Sequence, residues 1–277
     1  MTMSLNNVAV QQFRDAFQNQ YQAGRKLDGL GQIVRGVVGD AYKFKLAGKV
    51  DMELRGAFQS PVPASDLTYS APSVSFSNYI LNLPTDIFEQ AEVNANERQN
   101  LARVHANAIG RREDQFLIDA LDASATSKTV AVGTTNLSLA KIISAAKQLN
   151  DDEVPMDNRH FVVGASQLDS ILRDTTITDS DFNSVRLLMG GTIDSFMGFK
   201  WHIIGNRAIG GLPKTGNNRT VYAFHGDSVG LAYRINPQVT VDWDPHIQSW
   251  MSISKMSMGA TSVDDLGIVK VTCDETK

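Results

Sequence analysis

Cysteine is nearly missing from this chain: Cys273 is the only one in 277 residues. A single thiol excludes an intrachain disulfide and any cysteine-built metal cluster, which fits folding in a reducing cytoplasm. Its place in the alternating run Ile268 to Cys273 reads as a packed strand position, not a reactive thiol. Long apolar runs are missing too. None approaches the roughly 18 residues that span a bilayer, and Met1 to Gln12 lacks the apolar core of a signal peptide, so no membrane is expected. Asn136-Leu-Ser138 and Asn218-Arg-Thr220 match the glycosylation pattern, which means nothing without secretion. Nor is there an excess of positive charge. Twenty-six Lys and Arg stand against 30 Asp and Glu, a net charge of −4, which argues against a broad cationic surface gripping nucleic acid.

Catalytic patterns are equally scarce. His105, His160, His202, His225 and His246 are scattered without metal-ligand spacing, so structural or surface roles are expected. Asp151-Asp152-Glu153, Asp179/Asp181 and Asp242/Asp244 lack the glycine and terminal glutamate of a calcium loop. Gly164-Ala-Ser166-Gln-Leu168 fails as a nucleophile elbow at its second glycine. Gly29-Leu-Gly31 lacks the third glycine and the strand-to-helix context of a phosphate loop, so turn glycines are the better reading. No catalytic, cofactor-binding or metal residue is assigned, and no cofactor is expected.

What is present is a composition of 42% hydrophobic and 20% charged residues, that of a folded protein of one large or two ordinary domains. Tyr42, Phe44 and Leu46 alternate with Lys43 and Lys45. After Ala47 to Asp66, alternation resumes as Val74 and Phe76, then Tyr79, Leu81 and Leu83. This predicts two strands joined by a long tip, with a bulge or bend near Asn78 where the parity shifts. A lone ribbon is marginal in water, so it is expected to lie on something else, most naturally another copy of the chain. Pro84 is expected to end the strand, with Asp86 and Glu89 capping a helix from Asp86 to Asp122, roughly 50 Å long. Leu101, Val104 and Ala108 begin its apolar stripe; Gly110 marks a bend or a close backbone contact. Arg111, Arg112, Glu113 and Asp114 mix both signs within one turn and read either as a solvated face or as a contact between subunits.

Upstream, Val8, Phe13, Phe17 and Tyr21 fit a short amphipathic helix in an N-terminal arm. Downstream, Leu139 to Leu149 and Ala165 to Arg173 read as helices. His160 to Gly164, Phe199 to Ile203 and Arg219 to His225 read as strands, with a glycine-rich loop from Gly205 to Asn218. From Pro237 onward only strands are expected, around Val239 to Trp243, Trp250 to Met258 and Leu266 to Cys273. The long helix is the unclaimed candidate to cover them.

In this order the segments resemble a tailed-bacteriophage major capsid protein of the HK97-like shell fold. The likeness covers almost the whole length, carried by Ala102 to Leu121, Val154 to Leu168, Phe196 to Gly205 and Gly267 to Asp274. The resemblance implies an α+β fold in four parts: an N-terminal arm (1–36), an E-loop ribbon (37–83), a peripheral domain with the spine helix (84–134 and 236–277), and an axial domain (135–235). It implies a homo-oligomer of hexamers and pentamers enclosing DNA without sequence-specific binding. The E-loop would lie across a neighbouring subunit, with separate scaffolding, portal and decoration proteins as possible partners, in a virion capsid assembled in the host cytoplasm. Subunit contacts are expected at Tyr42, Lys43, Phe44, Lys45, Arg111, Arg112, Glu113 and Asp114. Only a short arm precedes the ribbon, so a cleaved scaffolding segment or a separate scaffold is implied. For Lys43, Lys45 and Lys49, strand-face solubility is a plainer role than crosslinking. The alternatives are an encapsulin-like compartment and, from another class, a metal-dependent hydrolase using Asp151 to Glu153 or the histidines.

Overall fold

The computed structural model describes residues 22–58, 62, 64–86, 97–173 and 195–276. First come β1 (Gln32–Arg35), the short strands β2 (Ala41–Lys43), β3 (Leu46–Ala47), β4 (Tyr69–Ser70) and β5 (Ser73–Ser75), then β6 (Ser77–Asp86) and helix α1 (Glu97–Ala123). A mixed region follows: β7 (Thr129–Val130), α2 (Leu139–Asp151), β8 (Arg159–Gly164), α3 (Ala165–Arg173), β9 (Ser195–Phe196), β10 (Phe199–Ile204), β11 (Lys214–Thr215) and β12 (Asn218–His225). The last strands are β13 (Val229–Asp244), β14 (Ser249–Ser262) and β15 (Ile268–Asp274).

Two sheets organise these elements. The larger has the order β7-β15-β12-β8-β10-β9, with β11 paired to β12. Every residue of β8 is buried, because both faces of the strand are covered, and Phe161, Val162 and Val163 form its apolar centre. Phe161 stacks on Trp201 at 4.8 Å and meets Phe199 edge-on at 5.5 Å. Ile142 and Leu149 of α2 and Leu117 and Leu121 of α1 belong to the same core. The buried Lys141 ammonium donates to the carbonyls of Val132, Thr135 and Thr272 at 2.8, 2.7 and 3.0 Å, tying α2 to β15.

The smaller sheet has the order β1-β13-β14-β6, and α1 covers one face. Leu231 and Tyr233 point to that face, whereas Gly230 and Ala232 point to the other, where the ribbon sits. There Phe44 and Val74 form a small core with Ala232 and Val263. Glycine is required beneath them. A Cβ on Gly230 would lie 2.4 Å from the Phe44 ring, and one on Gly259 would lie 2.1 Å from the Ser75 carbonyl. The base of the ribbon therefore lies on its own subunit and not, as expected, on another copy.

Other expectations meet different outcomes. Pro84 does not end the strand: it pairs with Met251 inside β6, which runs to Asp86. As an edge strand, β6 tolerates a residue without an N–H. The expected cap at Asp86 to Glu89 and the amphipathic stretch up to Tyr21 fall on or run into positions outside the described residues. The irregularity expected near Asn78 is an interruption at Phe76, between β5 and β6, and not a bulge, since β6 keeps register with β14 from Ser77 to Asp86. The register shifts instead in β13, between Tyr233 and Ile235 and between Ile235 and Gln238, next to Pro237. Finally, β15, expected beside the spine, pairs with β12 and β7 in the larger sheet. Alternation fixes that a segment is a strand, not which sheet takes it. A boundary between 235 and 236 would also cut through β13.

Candidate assembly surfaces

Helical spacing separates the charged cluster Arg111 to Asp114 of α1 into two pairs. Glu113 and Asp114 are buried; Arg111 and Arg112 are half-buried. Asp114 accepts the backbone N–H groups of Lys26 and Leu27 at 2.9 and 3.0 Å and pairs with Arg207 at 2.6 Å. Arg207 also donates to the carbonyls of Gly24 and Gly210 at 3.2 and 2.7 Å. Glu113 accepts from the Tyr233 hydroxyl at 2.9 Å and pairs with Arg25 at 3.2 Å. Burial raises its carboxyl pKa, with Arg25 and the Tyr233 bond pulling the other way. The incoming chain presses on the helix at Gly110, where a Cβ would lie 2.7 Å from the Arg25 nitrogen. That glycine marks a close backbone contact. One joint thus holds the segment before β1, the helix, the loop before β11 and the start of β13.

Three of the expected subunit-contact residues are accordingly engaged within the chain. Phe44 is packed under β13, and Glu113 and Asp114 are the acids of the joint. A mixed-sign cluster does not reveal which charges face inward until the helix phase is fixed by its neighbours. Arg25, Arg207 and Tyr233, which complete the joint, escaped sequence reasoning because they come from three distant segments. Gly110 was the one signal in the sequence pointing to a close approach there.

The other five residues keep exposed surface. Tyr42 meets Phe44 edge-on at 5.0 Å and is half-buried; Lys43 and Lys45 are exposed along the ribbon. Beyond the hydrogen bond from Gly48 to the Thr68 carbonyl at 2.8 Å, the ribbon presents Met52, Leu54, Phe58 and Val62, each at least 86% exposed. Arg111 donates to the Ala23 carbonyl at 3.2 Å, and the Arg112 guanidinium lies 4.5 Å from the centre of the Tyr79 ring. Beside them a groove of about 230 Å³ opens between α1, β6 and the loop before β11. It is lined by Tyr79, Leu81, Ala108, Ile109, Ile209 and Met256.

Of the residues considered for metal chemistry, Asp179 and Asp181 lie outside the described residues. Asp152 pairs with Lys128, and Asp242 and Asp244 share one sheet face opposite Trp243. His160 and His202 do meet, Nδ1 to Nε2 at 3.1 Å, with His160 Nε2 also bonded to Asn158 at 2.9 Å. Burial, then the neighbouring His202, Lys200 and His225, push the His160 pKa down to about 4. His105 is bonded to Ser252 at 2.9 Å beneath α1. Among the described residues no three His, Cys, Asp or Glu side chains gather as a metal site, and no helix is long and apolar enough to cross a membrane. Burial raises the Cys273 thiol to about 11, as a packed strand position implies.

Residues 5–275 match the profile of a family described as phage capsid protein. The chain matches none of the curated proteins with which it was compared. Among solved structures, the capsid of Cyanophage P-SCSP1u is similar with a TM-score of 0.77 at 12% identity, covering 99% of this chain and 95% of that one. A structure of Mycobacterium phage Che8 gives 0.74 at 19% identity over 99% of both chains. The head structure of Helicobacter pylori bacteriophage KHP40 gives 0.75 at 9% identity, over 99% and 97%. Identities this low speak for the fold alone, the HK97-like shell fold with its mixed sheets and long helix. The family match extends over nearly the whole chain and the fold agrees with it: this chain belongs to the phage capsid protein family and is a structural, non-enzymatic component of the virion shell.

Proposed function

We propose that the ribbon is an E-loop, a strap laid across a neighbouring subunit, and that subunits joined in this way form the hexamers and pentamers of a shell around a double-stranded DNA genome. The observation that carries this reading is the ribbon tip: Met52, Leu54, Phe58 and Val62 stand in solvent with no apolar partner among the described residues. An apolar stretch exposed to that degree marks an interaction site. In a closed shell such contacts repeat by symmetry, so a contact too weak to hold one pair is sufficient across many. The helix α1 with the four-stranded sheet serves as peripheral domain, and the larger sheet as axial domain with the loop Gly205 to Asn218 at the capsomer axes. Tyr42, Lys43, Lys45, Arg111 and Arg112 are the subunit-contact residues that keep exposed surface. The net charge of −4 suits a wall that encloses DNA without adhering to it. Scaffolding, portal and decoration proteins are separate partners, and assembly takes place in the host cytoplasm.

Deleting Ala47 to Asp66 tests the reading. The shortened chain is expected to keep its circular-dichroism spectrum and cooperative unfolding, yet electron microscopy of the expressed protein should show no closed shells. Normal shells from the deleted chain would refute the E-loop assignment.

A further inference from the structure

The groove beside Arg111 and Arg112 has three properties that together describe its occupant. Its floor is apolar, formed by Tyr79, Leu81, Ile109 and Met256. At about 230 Å³ it is below the roughly 300–1,000 Å³ of small-molecule sites, and suits one or two aliphatic side chains. Its rim carries two guanidiniums, and neither has a carboxylate partner among the described residues. The adjacent acids, Glu113 and Asp114, are turned inward to Arg25 and Arg207. The occupant should therefore be an extended segment with apolar side chains on one face and carboxylates on the other.

Lys49-Val-Asp-Met-Glu-Leu-Arg55 has this pattern. Val50, Met52 and Leu54 form one row, at 46%, 101% and 95% exposure, while Asp51 and Glu53 lie in the other row. The segment has no backbone partner among the described residues. It cannot reach its own groove, because the ribbon base lies on the face of the small sheet opposite α1. In addition, β5 runs on into β6 with only Phe76 between, so the tip heads away from Tyr79 and Leu81. The other exposed apolar row, Val239, Val241 and Trp243, belongs to a strand held in the sheet by β14 and cannot enter a groove as a free segment.

We propose that the groove between α1, β6 and Ile209 receives the segment Lys49–Arg55 from the ribbon of a second copy of this chain. Met52 and Leu54 fill the apolar floor. The long side chains of Arg111 and Arg112 rise past the inserted strand to Asp51 and Glu53 on its upper face. This deepens the E-loop reading and rests on it.

Engineered disulfides test the contact directly, since the one native thiol, Cys273, is buried. Shells of Met52→Cys/Ile209→Cys, mildly oxidised, should run as a ladder of crosslinked subunits on a non-reducing gel; either single variant should not. In parallel, Arg112→Glu should lower shell yield about tenfold or more, and adding Glu53→Arg should restore it. Subunit unfolding curves establish that each variant is folded. Shells of the double-cysteine chain that give no ladder, or a charge reversal that Glu53→Arg does not rescue, would overturn the groove assignment. A ladder from Met52→Cys/Val241→Cys with none at Ile209 would do the same while leaving the ribbon on a neighbour. Shells formed after deletion of Ala47 to Asp66 would instead remove the E-loop reading itself.

Discussion

The joint around Asp114 and the tip of the ribbon draw on similar residues with opposite outcomes. Both mix charged and apolar side chains within a few positions. In the joint, the charges find partners within the chain: Asp114 with Arg207 and two backbone N–H groups, Glu113 with Arg25 and Tyr233. At the tip, Met52 and Leu54 are fully or almost fully exposed, and the alternating charges are exposed too, Glu53 accepting from the Ser65 hydroxyl at 3.5 Å. The difference separates two properties that a capsid subunit must hold independently. Its own stability resides in saturated contacts, and its capacity to assemble resides in unsaturated ones.

The largest expected effect breaks the saturated side. Asp114→Ala leaves Arg207 and the amides of Lys26 and Leu27 without their carboxylate, and loss of one member of a buried pair costs about 3–5 kcal/mol. Guanidinium unfolding should show a lower midpoint at unchanged slope. Asp114→Asn keeps an acceptor for one N–H and should fall between. A smaller loss is expected where ribbon meets sheet. Gly230→Ala brings a methyl within 2.4 Å of the Phe44 ring and should cost about 1–3 kcal/mol, read in the same way. A Gly230→Ala chain as stable as the parent would mean that the ribbon base is free of its own subunit, and the division drawn here would fail.

How legible this division was differs from element to element. The strands of the larger sheet could be read because β8, β10 and β12 are short, apolar and bounded by turn residues. The helix α1 could be read from its stripe from Val104 to Leu121. Its N-terminal limit could not, because Pro84 signals a break only when its strand is internal, and β6 is an edge. The sheet that takes β15 was hidden, since Val269, Val271 and Cys273 alternate equally well against either partner. Of the candidate contacts, Lys43 and Lys45 stand on the exposed ribbon, but Phe44 between them is a core residue of its own subunit. The joint was invisible because Arg25, Asp114, Arg207 and Tyr233 are separated by up to about 90 positions from one to the next, and no local pattern links them.

A smaller, pH-dependent effect sharpens the saturated side. The unfolded chain binds a proton at His160 near pH 6.5, whereas in the folded chain that proton is taken up only near pH 4, because the ring is buried beside His202 and Lys200. Between these values the unfolded state holds more protons, so stability rises with pH from about 4 to 6.5 and is flat above. With allowance for solvent screening, about 1–2 kcal/mol should be lost on acidification across this window. His160→Asn should flatten the profile, and Lys200→Ala should move its midpoint upward. The charged groups facing the pair, Lys200 and His225 on one side and Asp114 near His202 on the other, set the position of the curve.

The smallest expected effect on the subunit is the most telling for the shell. Phe58 is 86% exposed at the ribbon tip, so Phe58→Ser removes no buried contact from the folded chain. Substitutions at such positions change stability by about 0.5 kcal/mol or less, and the unfolding midpoint should stay with that of the parent. If the tip serves only as a soluble loop, shells too should be unchanged. If it is held against a neighbour, the lost apolar area repeats at every copy, and a contact too small to measure in the monomer becomes decisive in the assembly. The expected result is a subunit of parental stability that fails to close shells under the electron microscope. Equal loss of stability and assembly would instead place Phe58 inside its own subunit, on the same side of the division as Phe44.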